Sequence, residues 1–308
     1  MEKRTLGKTG MQVSILGFGG SEIGYDKVPQ KTVNEILHRA LDAGLNVIDT
    51  AECYRDSEEK IGRAIAGRRD QCYLFTKCGH AAGLPFPDWD PRLLEQSIER
   101  SLRRLQTDYL DLVQLHTCSE KILRQGAVME GLQRARQAGK IRYIGYSGDS
   151  RAALYAIQTG LFDVLQTSIN LADQEAIDLT LPLARQQGIG IIAKRPLANV
   201  AWRTFEKPED GHTPSYWDLR GYNEIYAERL QQLDYDFLKG ALRTAIGIAL
   251  RFTLSVEGVA TAIVGTTKPE RWHQNAELLA AGPLDPKQFE AIRTRWKAVA
   301  KPHWIGQG

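Results

Sequence analysis

The chain contains 308 residues, of which 43% are hydrophobic and 25% are charged, and its net charge is +3. These values exclude a disordered chain, a collagen-like repeat and a disulfide scaffold. The basic residues are scattered, which argues against a nucleic-acid or membrane-surface partner. Four cysteines without a CxxC spacing, and an N-terminus without a hydrophobic signal region, predict a cytoplasmic protein with no metal site.

Eight short apolar runs alternate along the chain with amphipathic helical stretches. The runs are nearly continuous in hydrophobicity, which is typical of parallel strands covered on both faces. Eight such strand and helix units predict an α/β fold, a (β/α)8 TIM barrel, formed as a single domain by residues 1–308. The predicted strands cover residues 15–19, 46–49, 72–77, 109–116, 141–147, 163–170, 188–195 and 258–265.

Three segments fall outside this repeat. The opening RTLGKTGMQVS, residues 4–14, has a turn centred on glycine and predicts an N-terminal β-hairpin across the barrel floor. Residues 196–238 form the longest connection and are rich in Trp, Tyr and Pro, so we expect a substrate lid there. Residues 286–297 predict an extra C-terminal helix.

Three neighbouring barrel strands end in ionisable residues. The second strand ends in Asp49, the third in Lys77 and the fourth in His116, and Tyr54 follows Asp49 closely. Barrel enzymes carry their chemistry at these strand ends, so we expect the four side chains to converge. Each residue alone has a structural explanation, such as a helix cap for the aspartate or packing for the tyrosine. The set together favours a catalytic site.

Such a set suits proton delivery beside a polarised carbonyl group. Tyrosine is a poor acid at neutral pH, and a nearby lysine ammonium is expected to lower the pKa of Tyr54. Asp49 would hold Lys77 in place, while His116 would donate a hydrogen bond to the substrate oxygen. None of these groups supplies a hydride, so a reduction would require a nicotinamide cofactor.

The order of these motifs resembles the aldo-keto reductase family over essentially the whole chain. NVIDTAECY (46–54), LFTKCG (74–79), LDLVQLH (110–116) and IIAKRPLAN (191–199) follow the family's order. The resemblance implies reduction of a small-molecule aldehyde or ketone, with Asp49, Tyr54, Lys77 and His116 as the catalytic tetrad and Tyr54 as proton donor. It also implies NADPH bound across the barrel mouth. Consistent with this, GFGGSEIG after the first strand lacks the GxGxxG spacing of a Rossmann fold.

The resemblance also assigns cofactor contacts. Ser147 and Gln166 match positions that hold the nicotinamide carboxamide, Arg271 matches the arginine at the 2′-phosphate and Asn275 matches an adenine contact. A phosphate would also suit the helix N-terminus after Lys268. The full implied set is Gly19, Gly20, Asp49, Ser147, Gln166, Lys194, Arg195, Pro196, Leu197, Gly265, Thr266, Thr267, Lys268, Arg271, Gln274 and Asn275.

Three positions depart from the family pattern. Gly148 and Asp149 follow Ser147 where an asparagine is frequent, and Lys194 with Arg195 replaces an aromatic residue that stacks on the nicotinamide. Gly265 replaces a basic residue. These departures leave open which of Lys194 and Arg195 meets the cofactor.

Two groups near the barrel mouth have alternative interpretations. Cys53, Cys78 and Cys118 flank the tetrad, either as a redox-sensitive rim or as small packing residues. The loop aromatics either line an apolar substrate pocket or pack the loops onto the barrel, and they favour aromatic or hydrophobic carbonyls. The predicted substrate pocket consists of Tyr54, Trp89, His116, Trp202 and Trp217.

Two other functions remain open from the sequence. A Schiff-base lyase would use Lys77 or Lys194 as an unpaired nucleophile. A nicotinamide-sensing regulatory subunit would bind the cofactor with little turnover. The physiological substrate and the oligomeric state are not predicted.

Overall fold

The computed structural model describes residues 1–203 and 222–307. An antiparallel hairpin, β1 (Lys3–Thr5) and β2 (Gln12–Ser14), precedes a closed barrel of eight parallel strands. Each barrel strand pairs with its neighbour in sequence, and the last strand closes on the first. The predicted TIM barrel and hairpin are therefore confirmed. The barrel strands are β3 (Leu16–Gly19), β4 (Val47–Asp49), β5 (Tyr73–Cys78), β6 (Leu110–His116), β7 (Ile141–Ser147), β8 (Val164–Ser168), β9 (Gly190–Lys194) and β10 (Val259–Gly265).

Helices surround the barrel, and the predicted extra C-terminal helix is present. Local sequence explains the start of the fourth helix, where the Asp90 side chain accepts a hydrogen bond from the Arg92 amide and Pro91 occupies the first turn. No helix in the described parts of the chain is long and apolar enough to cross a bilayer. The helices are α1 (Ser21–Tyr25), α2 (Gln30–Asp42), α3 (Ser57–Ala64), α4 (Pro91–Leu105), α5 (Glu120–Gln125), α6 (Ala127–Gln137), α7 (Ser150–Gln158), α8 (Glu175–Leu179), α9 (Leu181–Gln186), α10 (Tyr222–Leu233), α11 (Leu242–Ser255), α12 (Arg271–Leu279) and α13 (Pro286–Val299).

The hairpin closes the floor of the barrel. Leu6 is fully buried and belongs to the cluster of interior side chains that also holds Phe75 and Ile192. The Tyr143 hydroxyl donates to the Thr9 carbonyl oxygen at 2.6 Å, which ties the hairpin turn to β7. With this end filled by apolar side chains, the open end of the barrel lies at the carboxyl ends of its strands.

The long connection after β9 packs against the C-terminal part of the chain. Ala198 and Ala201 are buried in a cluster with Tyr226 of α10 and Trp296 of α13. Burial of this apolar surface stabilises both ends of the connection. The middle of the predicted lid, residues 204–221, lies outside the described residues.

Close approach of the hairpin to the barrel requires glycine at position 7. Gly7 has a φ of +50°, and a Cβ there would lie 2.3 Å from the Gly190 backbone nitrogen. Gly10 has a φ of +71° with nothing within 4 Å of a Cβ, so it is a matched control. We expect Gly10→Ala to lower the free energy of unfolding by about 1 kcal/mol. Gly7→Ala should lower it by about 2–3 kcal/mol more, because the hairpin must also shift. Urea unfolding followed by circular dichroism measures both, and equal losses would contradict this account.

Candidate active site

A cavity of about 650 Å³ opens at the carboxyl ends of the barrel strands. It brings together side chains from strands that are far apart in sequence, as the barrel topology requires. All four residues predicted as a tetrad lie in its wall. The predicted site residues that line the cavity are Gly19, Gly20, Asp49, Tyr54, Lys77, His116, Ser147, Gln166, Lys194, Arg195, Pro196, Leu197 and Gly265.

A buried ion pair lies in the wall of this cavity. Lys77 Nζ is 2.5 Å from Asp49 Oδ2 and also donates to the Thr50 carbonyl oxygen at 2.7 Å. Gln114 and Gln166 donate their side-chain amides to the two oxygens of Asp49 at 3.2 and 3.3 Å. Two buried opposite charges with this many hydrogen bonds stabilise each other, whereas either charge alone would be costly.

Tyr54 lies beside this ion pair. Its ring centroid is 5.3 Å from Lys77 Nζ and 5.7 Å from the centroid of the His116 ring. The sequence predicts a lowered pKa, but the structure indicates the opposite direction. Burial raises the pKa of Tyr54 well above 10, and the charge of Asp49 raises it further, while Arg195 opposes the rise. The ammonium of Lys77 is paired with Asp49, so Tyr54 stays a protonated phenol at neutral pH.

His116 is held in its neutral form. Burial lowers its pKa well below 6.5, and the positive charges of Lys77, Lys194 and Arg195 lower it further. The Cys53 sulfur lies 3.5 Å from His116 Nδ1. Burial raises the pKa of the Cys53 thiol to about 12, so the thiol keeps its proton. This contact could not be predicted from the sequence, because it depends on how the chain turns after Asp49.

Two of the departures from the family pattern meet in one ion pair. Lys194 Nζ lies 2.8 Å from Asp149 Oδ2, and Asp149 Oδ1 also accepts from the Thr167 hydroxyl and the Ser168 amide, each at 2.7 Å. Although burial alone would raise it, the Lys194 ammonium holds the pKa of Asp149 below its usual value. Lys194 and Arg195 both line the cavity, so the structure assigns neither alone to a cofactor.

A second compensation explains Gly265. A Cβ at this position would lie within 1.8 Å of Glu22 Oε2, so a larger side chain would displace the carboxylate. Glu22 also lines the cavity, and burial raises its pKa. Sequence reasoning missed Glu22. The only signal in the sequence was an acidic residue three positions after the end of the first barrel strand.

The predicted contacts beyond β10 do not line the cavity in the described structure. They lie on the segment that leads from Gly265 into α12, where the Thr266 hydroxyl accepts from the Lys268 amide at 3.0 Å. Arg271 is the first residue of α12 and Asn275 is buried one turn later. The residues on this segment are Thr266, Thr267, Lys268, Arg271, Gln274 and Asn275.

The predicted tryptophans take different positions. Trp89 packs over Gly79, with its ring centroid 5.3 Å from that of His80, and His80 rather than Trp89 lines the cavity. Trp202 packs against the cluster formed with α10 and α13, so burial of apolar surface accounts for its position. Trp217 lies outside the described residues.

The cysteines near the mouth lack thiolate character. Burial raises the pKa of Cys53 and Cys118 to about 12 and that of Cys78 well above 9. This favours the packing interpretation over a redox-sensitive rim. Ligand-type atoms of Glu52, Cys53 and His116 lie within 4.8 Å of one another. A metal there would require deprotonation of Cys53, and we assign none.

Glu52 predicts a pH-dependent stability. Burial and the charge of Glu58 raise its pKa from 4.5 to about 8. The folded state therefore binds one more proton between these pH values, and stability falls as pH rises through that window. The free energy of unfolding of Glu52→Gln should equal that of the wild type near pH 4.5. At pH 9 it should be higher than that of the wild type by on the order of a few kcal/mol. Thermal melts across pH test this, with exposed Glu224→Gln as control. A constant difference at all pH values would refute it.

Comparison with known proteins assigns this chain to a family. The sequence model described as "Aldo/keto reductase family" matches residues 15–297. An uncharacterized oxidoreductase of Bacillus subtilis, YqkF, is 29% identical over 98% of this chain and 99% of its own. The aldo-keto reductase YhdN of the same organism is 30% identical over 90% of this chain and 88% of its own. The L-galactose dehydrogenase of Arabidopsis thaliana is 28% identical over 100% of this chain and 99% of its own.

Solved structures agree with the sequence comparison. The holo form of an aldo-keto reductase from Bacillus halodurans superposes with a TM-score of 0.80 at 26% identity, covering 99% of each chain. A putative aldo-keto reductase from Pseudomonas aeruginosa gives a TM-score of 0.68 at 26% identity, covering 90% of this chain and 95% of its own. Together with the eight-stranded barrel and the cavity at its mouth, these matches show that the chain belongs to the aldo/keto reductase family.

Proposed function

We propose that this oxidoreductase reduces aldehydes or ketones to alcohols with NADPH, and that Tyr54 donates the proton. Membership of the family supports carbonyl reduction in general. The observation that carries the specific proposal is the ion pair of Asp49 and Lys77 beside Tyr54 and His116 in one cavity wall. Each of these groups has a distinct task when negative charge develops on a carbonyl oxygen.

Tyr54 acts as the acid because its phenol proton is available in the cavity where the substrate carbonyl oxygen would bind. The raised pKa keeps the phenol protonated throughout the neutral range. Proton transfer leaves a phenolate on Tyr54, and the Lys77 ammonium, 5.3 Å from the ring centroid, stabilises that charge as it forms. Asp49 pairs with the Lys77 ammonium and fixes its position. Lys77 therefore acts in the transition state more than on the resting acid.

The thiol of Cys53 selects the tautomer of His116. In this proposal the protonated thiol donates S–H to Nδ1 across the 3.5 Å contact, which places the imidazole proton on Nε2. Neutral His116 then donates from Nε2 to the substrate oxygen alongside Tyr54.

The described residues fit a nicotinamide cofactor. When bound, the reduced nicotinamide supplies the hydride that protein side chains lack. Gln166 Oε1 is buried without a hydrogen-bond partner in the described structure, which suits an amide N–H such as that of the carboxamide. Ser147 ends the neighbouring strand and lines the same cavity. Four unpaired cysteines support a cytoplasmic location.

NADPH rather than NADH is favoured by charge at the start of α12. Lys268 and Arg271 lie around the first turn of this helix, and the amides of a helix N-terminus favour an anion. Together they would offer a 2′-phosphate two positive side chains. Glu22 beside Gly265 adds a carboxyl group on the side of the cavity that leads to this segment.

The test is NADPH oxidation with an activated aromatic aldehyde by the wild type and by Tyr54→Phe, repeated with NADH. We expect turnover that prefers NADPH and that falls about 100-fold or more in Tyr54→Phe, because the general acid is lost. NADPH affinity, measured by fluorescence, should change less than about twofold, because the lost hydroxyl belongs to the acid and not to the proposed cofactor set.

Other outcomes would identify the rival functions. Tight NADPH binding without turnover of any aldehyde would favour a nicotinamide-sensing subunit. Inactivation by borohydride only when substrate is present would favour a Schiff-base lyase on Lys77 or Lys194. The ion pairs with Asp49 and Asp149 argue against an unpaired nucleophilic lysine. Equal activity of Tyr54→Phe and wild type would remove Tyr54 from the mechanism.

A further inference from the structure

The loop that follows β5 is closed on itself beside the cavity. The Trp89 amide donates to the Gly79 carbonyl oxygen at 2.9 Å, and the Ala81 amide donates to Asp88 Oδ1 at 2.8 Å. The Trp89 ring covers Gly79, where a Cβ would lie 2.1 Å from the ring, and Gly79 has a φ of +129°. These contacts join the two ends of the loop, so the residue after Gly79 is presented from a fixed position.

That residue is His80, and its ring is held on several sides. Its amide donates to Glu52 Oε1 at 3.1 Å, and its Nδ1 lies 2.8 Å from Asp88 Oδ2. The ring is edge-on to Trp89 at 5.3 Å and to His116 at 5.4 Å between centroids. His80 lines the cavity, and about a third of its side chain is exposed (34%). It is therefore a preorganised polar group directly beside His116.

The remaining ring nitrogen has the properties of a recognition group. No hydrogen bond to His80 Nε2 is formed within the described part of the chain. Although partial burial alone would raise it, the hydrogen bonds from His80 and Ala81 hold the pKa of Asp88 below its usual value. An ionised Asp88 accepts from Nδ1–H, which leaves Nε2 as an acceptor on a neutral ring or a donor on a protonated ring. A hydroxyl group both donates and accepts, so it suits either state.

We propose that His80 is a specificity-determining residue that binds a hydroxyl group on the carbon next to the substrate carbonyl. The preferred substrates are then 2-hydroxy aldehydes and 2-hydroxy ketones. This inference rests on the proposed function, which places the carbonyl oxygen at Tyr54 and His116. A substituent on the adjacent carbon then lies next to the ring that adjoins His116. It differs from the aromatic carbonyl preference expected from the loop aromatics, of which Trp89 and Trp202 do not line the cavity.

The experiment compares 2-hydroxypropanal with propanal, which differ only in that hydroxyl, and with 3-hydroxypropanal, in which it is moved by one carbon. We expect wild-type kcat/KM to favour 2-hydroxypropanal by about tenfold, the scale of one hydrogen bond. In His80→Leu the ratio of kcat/KM for 2-hydroxypropanal to that for propanal should fall to about one, because the group that distinguishes the two substrates is lost. His80→Gln, which keeps a donor and an acceptor, should retain part of it. Exposed His303→Leu is the control and should behave as wild type.

Turnover of propanal by the wild type tests the proposed reductase activity alone. The ratio of kcat/KM for 2-hydroxypropanal to that for propanal tests the role of His80, so the failure of one proposal can be distinguished from the failure of the other. A wild type without preference for the 2-hydroxy compound, or a preference unchanged in His80→Leu, would overturn the inference. Binding of propane-1,2-diol and propan-1-ol, the two products, gives the same comparison without turnover by saturation-transfer NMR. Equal binding of both alcohols by wild type and His80→Leu would also overturn it.

Discussion

The ion pair of Asp49 and Lys77 is the interaction on which the site depends. Both charges are buried, so neither is tolerable without the other, and two glutamine amides complete the hydrogen bonds of the carboxylate. The barrel supplies the geometry, because adjacent parallel strands end at the same edge. The pair holds the Lys77 ammonium 5.3 Å from the centroid of the Tyr54 ring, while burial keeps the phenol protonated, as its proposed role as proton donor requires.

Two positions that differ from the expected family pattern are each matched by a neighbouring side chain. Lys194 stands where an aromatic residue is expected, and Asp149, two strands away in the barrel, pairs with its charge. Gly265 stands where a basic residue is expected, and the carboxyl group of Glu22 occupies the space that a side chain at position 265 would need. The first pair joins opposite charges in the cavity wall, whereas the second places an acidic group where a basic one is expected.

The sequence predicted the barrel well because each strand is a local apolar run, and it predicted the positions of Asp49, Lys77 and His116 because strand ends converge by topology. Prediction from the sequence failed where burial sets a pKa or where the closure of a loop decides which side chain lines the cavity. Burial reverses the expected pKa shift of Tyr54, and closure of the loop from Gly79 to Trp89 exposes His80 in the cavity instead of the tryptophan. Neither effect is encoded in spacing or composition.

The most direct test of this account is the pKa of Tyr54 in the free protein. Carbon-13 labelling of tyrosine Cζ, with Tyr54→Phe to assign the signal, allows the phenol to be titrated by NMR. The account predicts that this signal does not titrate below pH 10, because burial outweighs a lysine charge that Asp49 already neutralises. A midpoint below about pH 9 would contradict it, since it would mean that Lys77 acts on the resting phenol as an unpaired charge.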